Sequence, residues 1–249
     1  MNILKECVRH KILNVLIVFA VALLGGSMLL KELSSAAEQR TLIDTGYAGV
    51  QVFGFLTVLL SVAIMFFEET EMRSIWMVLS KPVSRTDFII GKFFGISLTL
   101  FFNVLLMSVI IFVMCFLYGV KPDWNFPLVI FFLYLQLVII AAIALLFSVV
   151  TTSLPTALSY TFLLYVIGLL SHHIKLLAAK PDIGPLNKGI VYFIYYSVPH
   201  LDKFNLKDLI YSFKGAPDAV YFVKLAAYFA VYCAMAMFLT AHAFSKKEL

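Results

Sequence analysis

Residues 126–150 read FPLVIFFLYLQLVIIAAIALLFSVV, a run that carries no charge. As an α-helix rising ~1.5 Å per residue, it is more than long enough to cross the ~30 Å of a bilayer's hydrocarbon. The rest of the chain follows suit. Of its 249 residues 62% are hydrophobic and 13% charged, about half the charged share of an ordinary soluble domain, and the mean hydropathy is +0.98. One soluble core cannot hide that much apolar surface. The composition therefore excludes a soluble enzyme, a nucleic-acid-binding module and a disordered chain, and the fold class it defines is all-α, polytopic and membrane-embedded. The net charge of +5 points to lipid headgroups and to the positive-inside bias, with no nucleic-acid partner. Cys7, Cys115 and Cys233 are odd in number and fit no disulfide or metal spacing.

Six runs pass the same length and polarity test: Ile12 to Leu30, Gly46 to Phe67, Phe88 to Val120, Phe126 to Val150, Leu154 to Leu170 and Ala219 to Phe244. The first resembles a secretory signal, with Lys5, Arg9 and Lys11 ahead of it, but its apolar run continues past the Ala20-Val21-Ala22 cleavage-like site, so it is read as an uncleaved helix. With six spans, both termini lie on one side. That side then carries Lys5, Arg9, Lys11, Arg73, Lys81, Arg85, Lys92, Lys246 and Lys247, against only Lys31, Arg40 and Lys121 in the short loops opposite. The six lysines of the long loop 171–219 carry less topological weight, so both termini are expected in the cytoplasm of a cell-membrane protein. Ahead of the first span, Ile3, Leu4, Cys7 and Val8 share one helical stripe, and residues 1–11 are expected to form an interfacial helix.

The loop between the second and third spans, EETEMRSIWMVLSKPVSRTDFIIGKFFG over residues 68–95, holds the most information. Met72, Ile75, Trp76 and Leu79 recur at i, i+3, i+4 and i+7, giving a short helix one apolar face, and Glu69 and Arg73 are spaced for an i,i+4 pair. Pro82 stops that helix, and Ser84 with Asp87 three residues on starts the next. A short helix with an exposed apolar face needs the bilayer or a partner to cover it. From spacing alone, an interfacial tie between two spans and a docking knob for a cytoplasmic protein both stay open.

This loop resembles that of the ABC-2 type permeases, the membrane subunits of one large group of ABC exporters. The resemblance rests on the acidic start Glu68 to Glu71, on Trp76, on Leu79-Ser80-Lys81-Pro82-Val83-Ser84-Arg85 and on Gly91-Lys92, with Arg73-Ser74 departing from the family's usual Gly-Thr-like pair. It implies that residues 68–85 form a coupling loop whose helix, Glu69 to Ser80, docks on a separate ATPase, with Arg73 and Trp76 as anchors and Glu69, Met72, Ile75, Leu79, Lys81 and Arg85 around them. It also implies that residues 1–11 are the family's elbow helix. The implied partners are two P-loop ATPase subunits, carrying the ATP and magnesium, and a second permease subunit. No cofactor or metal is expected on this chain. Its own Gly91-Lys92 fails as a phosphate loop, with Thr86 where the first glycine belongs and Phe93 where Ser or Thr belongs.

In the loop 171–219, Ile190 to Val198 is apolar but too short to span, so it is expected to lie in the interface or to dip in and return. Asn205 and Asp208 can start a helix with Leu206, Leu209, Ile210 and Phe213 on one stripe. Extracellular gating segments of the ABC-2 permeases resemble this stretch, which makes Tyr195, Tyr196, Pro199, Leu206, Leu209 and Phe213 gate candidates. The other reading is a lid that packs helix ends without touching cargo. His172, His173, His200 and Asp202 show no metal-ligand spacing. Asn14, Gln51, Asn103 and Gln136 suit interhelical hydrogen bonds. Two other functions compete with a permease. A secondary transporter or channel usually needs a mid-span carboxylate or arginine, and none is present. An intramembrane lipid-modifying enzyme would have His200 and Asp202 as its catalytic pair. Neither accounts for the SKPVSR loop.

Overall fold

The computed structural model describes residues 17–22, 25–26, 38–63, 85–119, 125–178, 185–206 and 219–246. The elbow segment, the first-span residues outside 17–22 and 25–26, the coupling helix Glu69 to Ser80 with residues 68–84 of its loop, and Leu209 and Phe213 lie outside the described residues. Helices α1 (Glu38–Val62), α2 (Arg85–Leu117), α3 (Phe126–Val150), α4 (Leu154–Leu169), α5 (Ser171–Ala178), α6 (Pro185–Ser197) and α7 (Ala219–Lys246) follow one another, with a 3-10 turn at Leu201–Phe204 between α6 and α7. No strand occurs among the described residues. Among the described residues four helices, α1, α2, α3 and α7, are individually long and apolar enough to cross a membrane. A fifth crossing is possible if α4 and α5, bent 61° against each other, act as one broken span.

The bundle is built around α3, because that helix is apolar on every side and has no face suited to water. It packs against α1, α2, α4 and α7. Its apolar stretch is 78% buried, whereas that of α7 is 17% buried and turns most of its surface outward. Pro127 and Pro155 sit in the first turns of α3 and α4, where a missing N–H costs nothing, and the extended Thr151 and Ser153 separate the two helices.

Lipid gives helices no hydrophobic reason to associate, so close packing and polar contacts hold them. Gly54 illustrates the first: a Cβ there would lie 2.4 Å from Leu137 Cδ1, so a larger residue would require the Leu137 side chain to move. Asn103 on α2 illustrates the second, donating through Nδ2 to Thr57 Oγ1 on α1. Phe55 and Tyr165 stack at 4.0 Å and join α1 to α4. Phe19, fully buried, sets the first helical segment edge-on to Phe53 at 5.5 Å. Gln136 is buried at the centre of α3 with neither amide atom hydrogen-bonded, so the interhelical bond expected of it is not made.

The two ends of the bundle differ. At one, Ile89, Val149 and Phe244 form a small buried cluster, and Phe88 stacks on Phe244, which brings together the start of α2, the end of α3 and the end of α7. At the other, Tyr47 stacks on Phe126 and Phe132 meets Phe222, placing the starts of α3 and α7 side by side. The chain therefore enters α2 and leaves α7 on the same face.

Candidate functional site

At the end where α3 and α7 begin, the chain does something the spans do not require. The bend between α4 and α5 opens a notch beside Gly168, and residues 199–206 fill it. Pro199 is buried, and Leu201, Phe204 and Leu206 are fully so. A Cβ on Gly168 would stand 2.9 Å from the Pro199 carbonyl oxygen and 2.8 Å from Leu201 Cδ1, so the plug rests directly on the helix backbone.

Irregular backbone survives near hydrocarbon only when its polar groups are satisfied by the protein. Here they are. The His200 N–H donates to the Tyr228 hydroxyl at 2.8 Å, the Asn205 N–H to the Asp202 carbonyl at 3.1 Å, and the Leu206 N–H to the Phe204 carbonyl at 3.0 Å. The Tyr221 hydroxyl donates to the Lys203 carbonyl at 3.0 Å, and Ser171, at the bend, donates to the Asp202 carboxylate. The plug contacts α3, α4 and α5 and is bonded to two tyrosines of α7, so it ties four helices together at one end.

Of the gate candidates, Tyr195, Pro199 and Leu206 gather around this plug, with the Tyr195 ring edge-on to His200 at 4.2 Å. Tyr196, 72% exposed, faces away from the core. The apolar run Ile190 to Val198 is the second half of α6, whose 13 residues reach ~20 Å and so do not span. Sequence does not single out Gly168, Ser171, Tyr221 or Tyr228. Gly168 and Ser171 straddle the end of an apolar run, a signal for a notch, but the tyrosines gain their meaning only from tertiary contact.

His200 and Asp202 do not form a catalytic pair. His200 is 7% exposed, with Nδ1 3.2 Å from the Tyr228 hydroxyl, while Asp202 is engaged by Ser171. Among the described residues no group of three His, Cys, Asp or Glu side chains could hold a metal ion. What the cluster can do is sense protons. Burial, and next the Lys203 charge, hold the His200 imidazole below its ordinary value; Asp202 pulls it up and Lys175 pushes it down. In the neutral tautomer with its proton on Nε2, Nδ1 can accept a hydrogen bond from the Tyr228 hydroxyl, and a protonated ring has no lone pair there to accept it. In the unfolded chain the imidazole titrates near ~6.5, so between that value and the lower folded one the unfolded state binds more protons and stability rises with pH. The unfolding midpoint of the detergent-solubilised protein should therefore fall as pH drops from ~6.5 toward the folded value, and His200→Gln should flatten this part of the curve. Superimposable pH profiles of the two proteins would remove His200 from the latch.

A bundle of long apolar helices around a buried central helix, capped at one end and joined by a loop at the other, defines a multi-pass membrane protein. A family model described as ABC-2 family transporter protein matches residues 4–249, and the chain belongs to that family. It is thus a membrane transport component and not itself a catalyst. No curated protein matches it.

Proposed function

We propose that the chain is the permease subunit of an ABC exporter, forming the export pathway as a pair of subunits driven by two separate P-loop ATPases. The observation that carries this reading is the sequence of residues 68–85, whose apolar spacing and SKPVSR stretch fall between α1 and α2, together with the packing of the first turns of α2 against the end of α7. Glu69, Met72, Arg73, Ile75, Trp76, Leu79, Lys81 and Arg85 form the docking surface in this reading. Family membership supports it, since membrane subunits of this kind generally work with ATPase partners.

The coupling follows from how the helices are joined. A push on the loop acts on the end of α1 and the start of α2, which the Asn103–Thr57 bond and the seat of Gly46 against Ile111 fasten to each other. Gly54 presses α1 onto Leu137, so the displacement reaches α3, and α3 bears on the plug at the far end. Closure of the ATPases would tilt the bundle, and Tyr195, Pro199 and Leu206 would be released as the gate.

Topology tests this arrangement. In a cysteine-free background, an impermeant thiol reagent should modify Asp182→Cys or Lys214→Cys from outside the cell, and Ser84→Cys or Lys247→Cys only after permeabilisation. The reverse pattern would take the docking loop out of the cytoplasm and end the proposal.

A further inference from the structure

A cleft of about 560 Å³ runs between α2 and α3 and opens on the outer surface of the bundle. We propose that it holds one acyl chain of a membrane phospholipid.

Its floor is Val104, Phe126 and Ile130, all buried, and its rims are Leu105, Val109 and Phe112 on one side and Phe131 on the other, all more than 40% exposed. Two polar side chains face it, and each spends its one hydroxyl proton inside the protein. Ser108 donates to the Leu105 carbonyl of its own helix at 2.7 Å, and the Tyr134 hydroxyl reaches the Ser97 carbonyl at 3.3 Å. The ligand chemistry is therefore pure hydrocarbon.

Length selects among hydrocarbons. Phe101 and Tyr134, whose rings meet edge-on at 5.7 Å, line one end of the cleft, and Phe112 and Phe126, where α3 begins, line the other. From Phe101 to Phe112 along α2 is ~16 Å. That is close to half the ~30 Å hydrocarbon thickness, so the cleft matches in length an acyl chain of one leaflet. A helix of a second copy fits poorly, because helix contacts in membranes rely on Gly, Ala and Ser to bring backbones close, and phenylalanine, leucine, isoleucine and valine dominate these walls.

The test uses the full chain extracted in detergent and washed until bulk lipid is gone. Native mass spectrometry should find one phospholipid retained per chain. Ser108→Phe and Val104→Phe, which each put a ring into the cleft, should lower the retained fraction about tenfold, while thermal unfolding shows that the variants remain folded. A phosphatidylcholine with a photoreactive diazirine near the end of its chain should label the wild-type peptide that contains Phe101 and Val104, and Ser108→Phe should abolish that label. Undiminished retention in both folded variants, labelling spread evenly over all lipid-facing helices, or disulfide-linked dimers of Val109→Cys formed in native membranes would each overturn the proposal, the last because it would seat a second copy in the cleft.

Discussion

Replacing Gly168 with valine is expected to dislodge the plug and destabilise the protein by about 3 kcal/mol, the upper range for forcing extra methyl groups into a packed site. The reason lies in what the new atoms meet. A Cβ at this position comes within 2.9 Å of the Pro199 carbonyl oxygen, which is backbone and cannot swing aside as a side-chain tip can. The segment carrying Leu201, Phe204 and Leu206 must lift as a whole, and its bonds to Tyr228, Tyr221 and Ser171 go with it. Gly91 supplies the contrast. It lies within α2, and a methyl group added there would meet nothing within 4 Å, so Gly91→Ala should be neutral or stabilise by up to about 1 kcal/mol through helix propensity alone. Thermal unfolding of both variants in the same detergent decides the matter, and equal behaviour would mean that the plug is not seated on Gly168.

The second large effect belongs to the other end. Trp76→Ala should weaken association with the ATPase by about 2 kcal/mol, a loss typical of an aromatic anchor at an interface centre and equivalent to roughly thirtyfold in affinity. Arg73→Glu should act in the same direction by placing a second negative charge near Glu69. Both variants should insert and unfold as the wild type does, because the change is confined to a docking surface. Binding titrations of a purified ATPase subunit against the reconstituted permease would show it. Unchanged affinity in both would leave the loop as an interfacial tie between spans.

How much of the fold is legible in the sequence varies with the physics behind each feature. The limits of Phe126 to Val150 agree between sequence and structure, because hydropathy, Pro127 and the polar residues beyond Val150 all mark the same ends. Pro82 and the Ser84 to Asp87 spacing predict a helix running into the third span, and residues from Arg85 onward are helical. The apolar run of α1 starts at Gly46, yet the chain is already helical at Glu38. Hydropathy marks where a helix enters lipid, and Glu38, Arg40 and Asp44 continue it into the polar zone. The run ending at Leu170 reads as a span, but its 61° bend does not show, since nothing periodic distinguishes a bent apolar helix from a straight one. At the plug, Pro199 and Leu206 are marked only by the resemblance of their stretch to ABC-2 gating segments, and both are buried. Tyr228 lies 28 residues beyond His200, and only the folded chain brings its hydroxyl to that backbone. The buried Gln136 suits a bond across helices, and its lack of one shows that a polar residue in a span does not name its own partner.

The central claim is that this membrane subunit is coupled through residues 68–85 to an ATPase it does not contain. Native mass spectrometry of the tagged chain purified from its own cells, beside the Trp76→Ala variant, addresses that claim most directly. The wild type should run as a complex of two permease and two P-loop ATPase subunits, and the variant as permease largely free of ATPase. A wild-type permease that carries no ATPase while remaining folded and correctly inserted, or an ATPase retained equally by the variant, would contradict it.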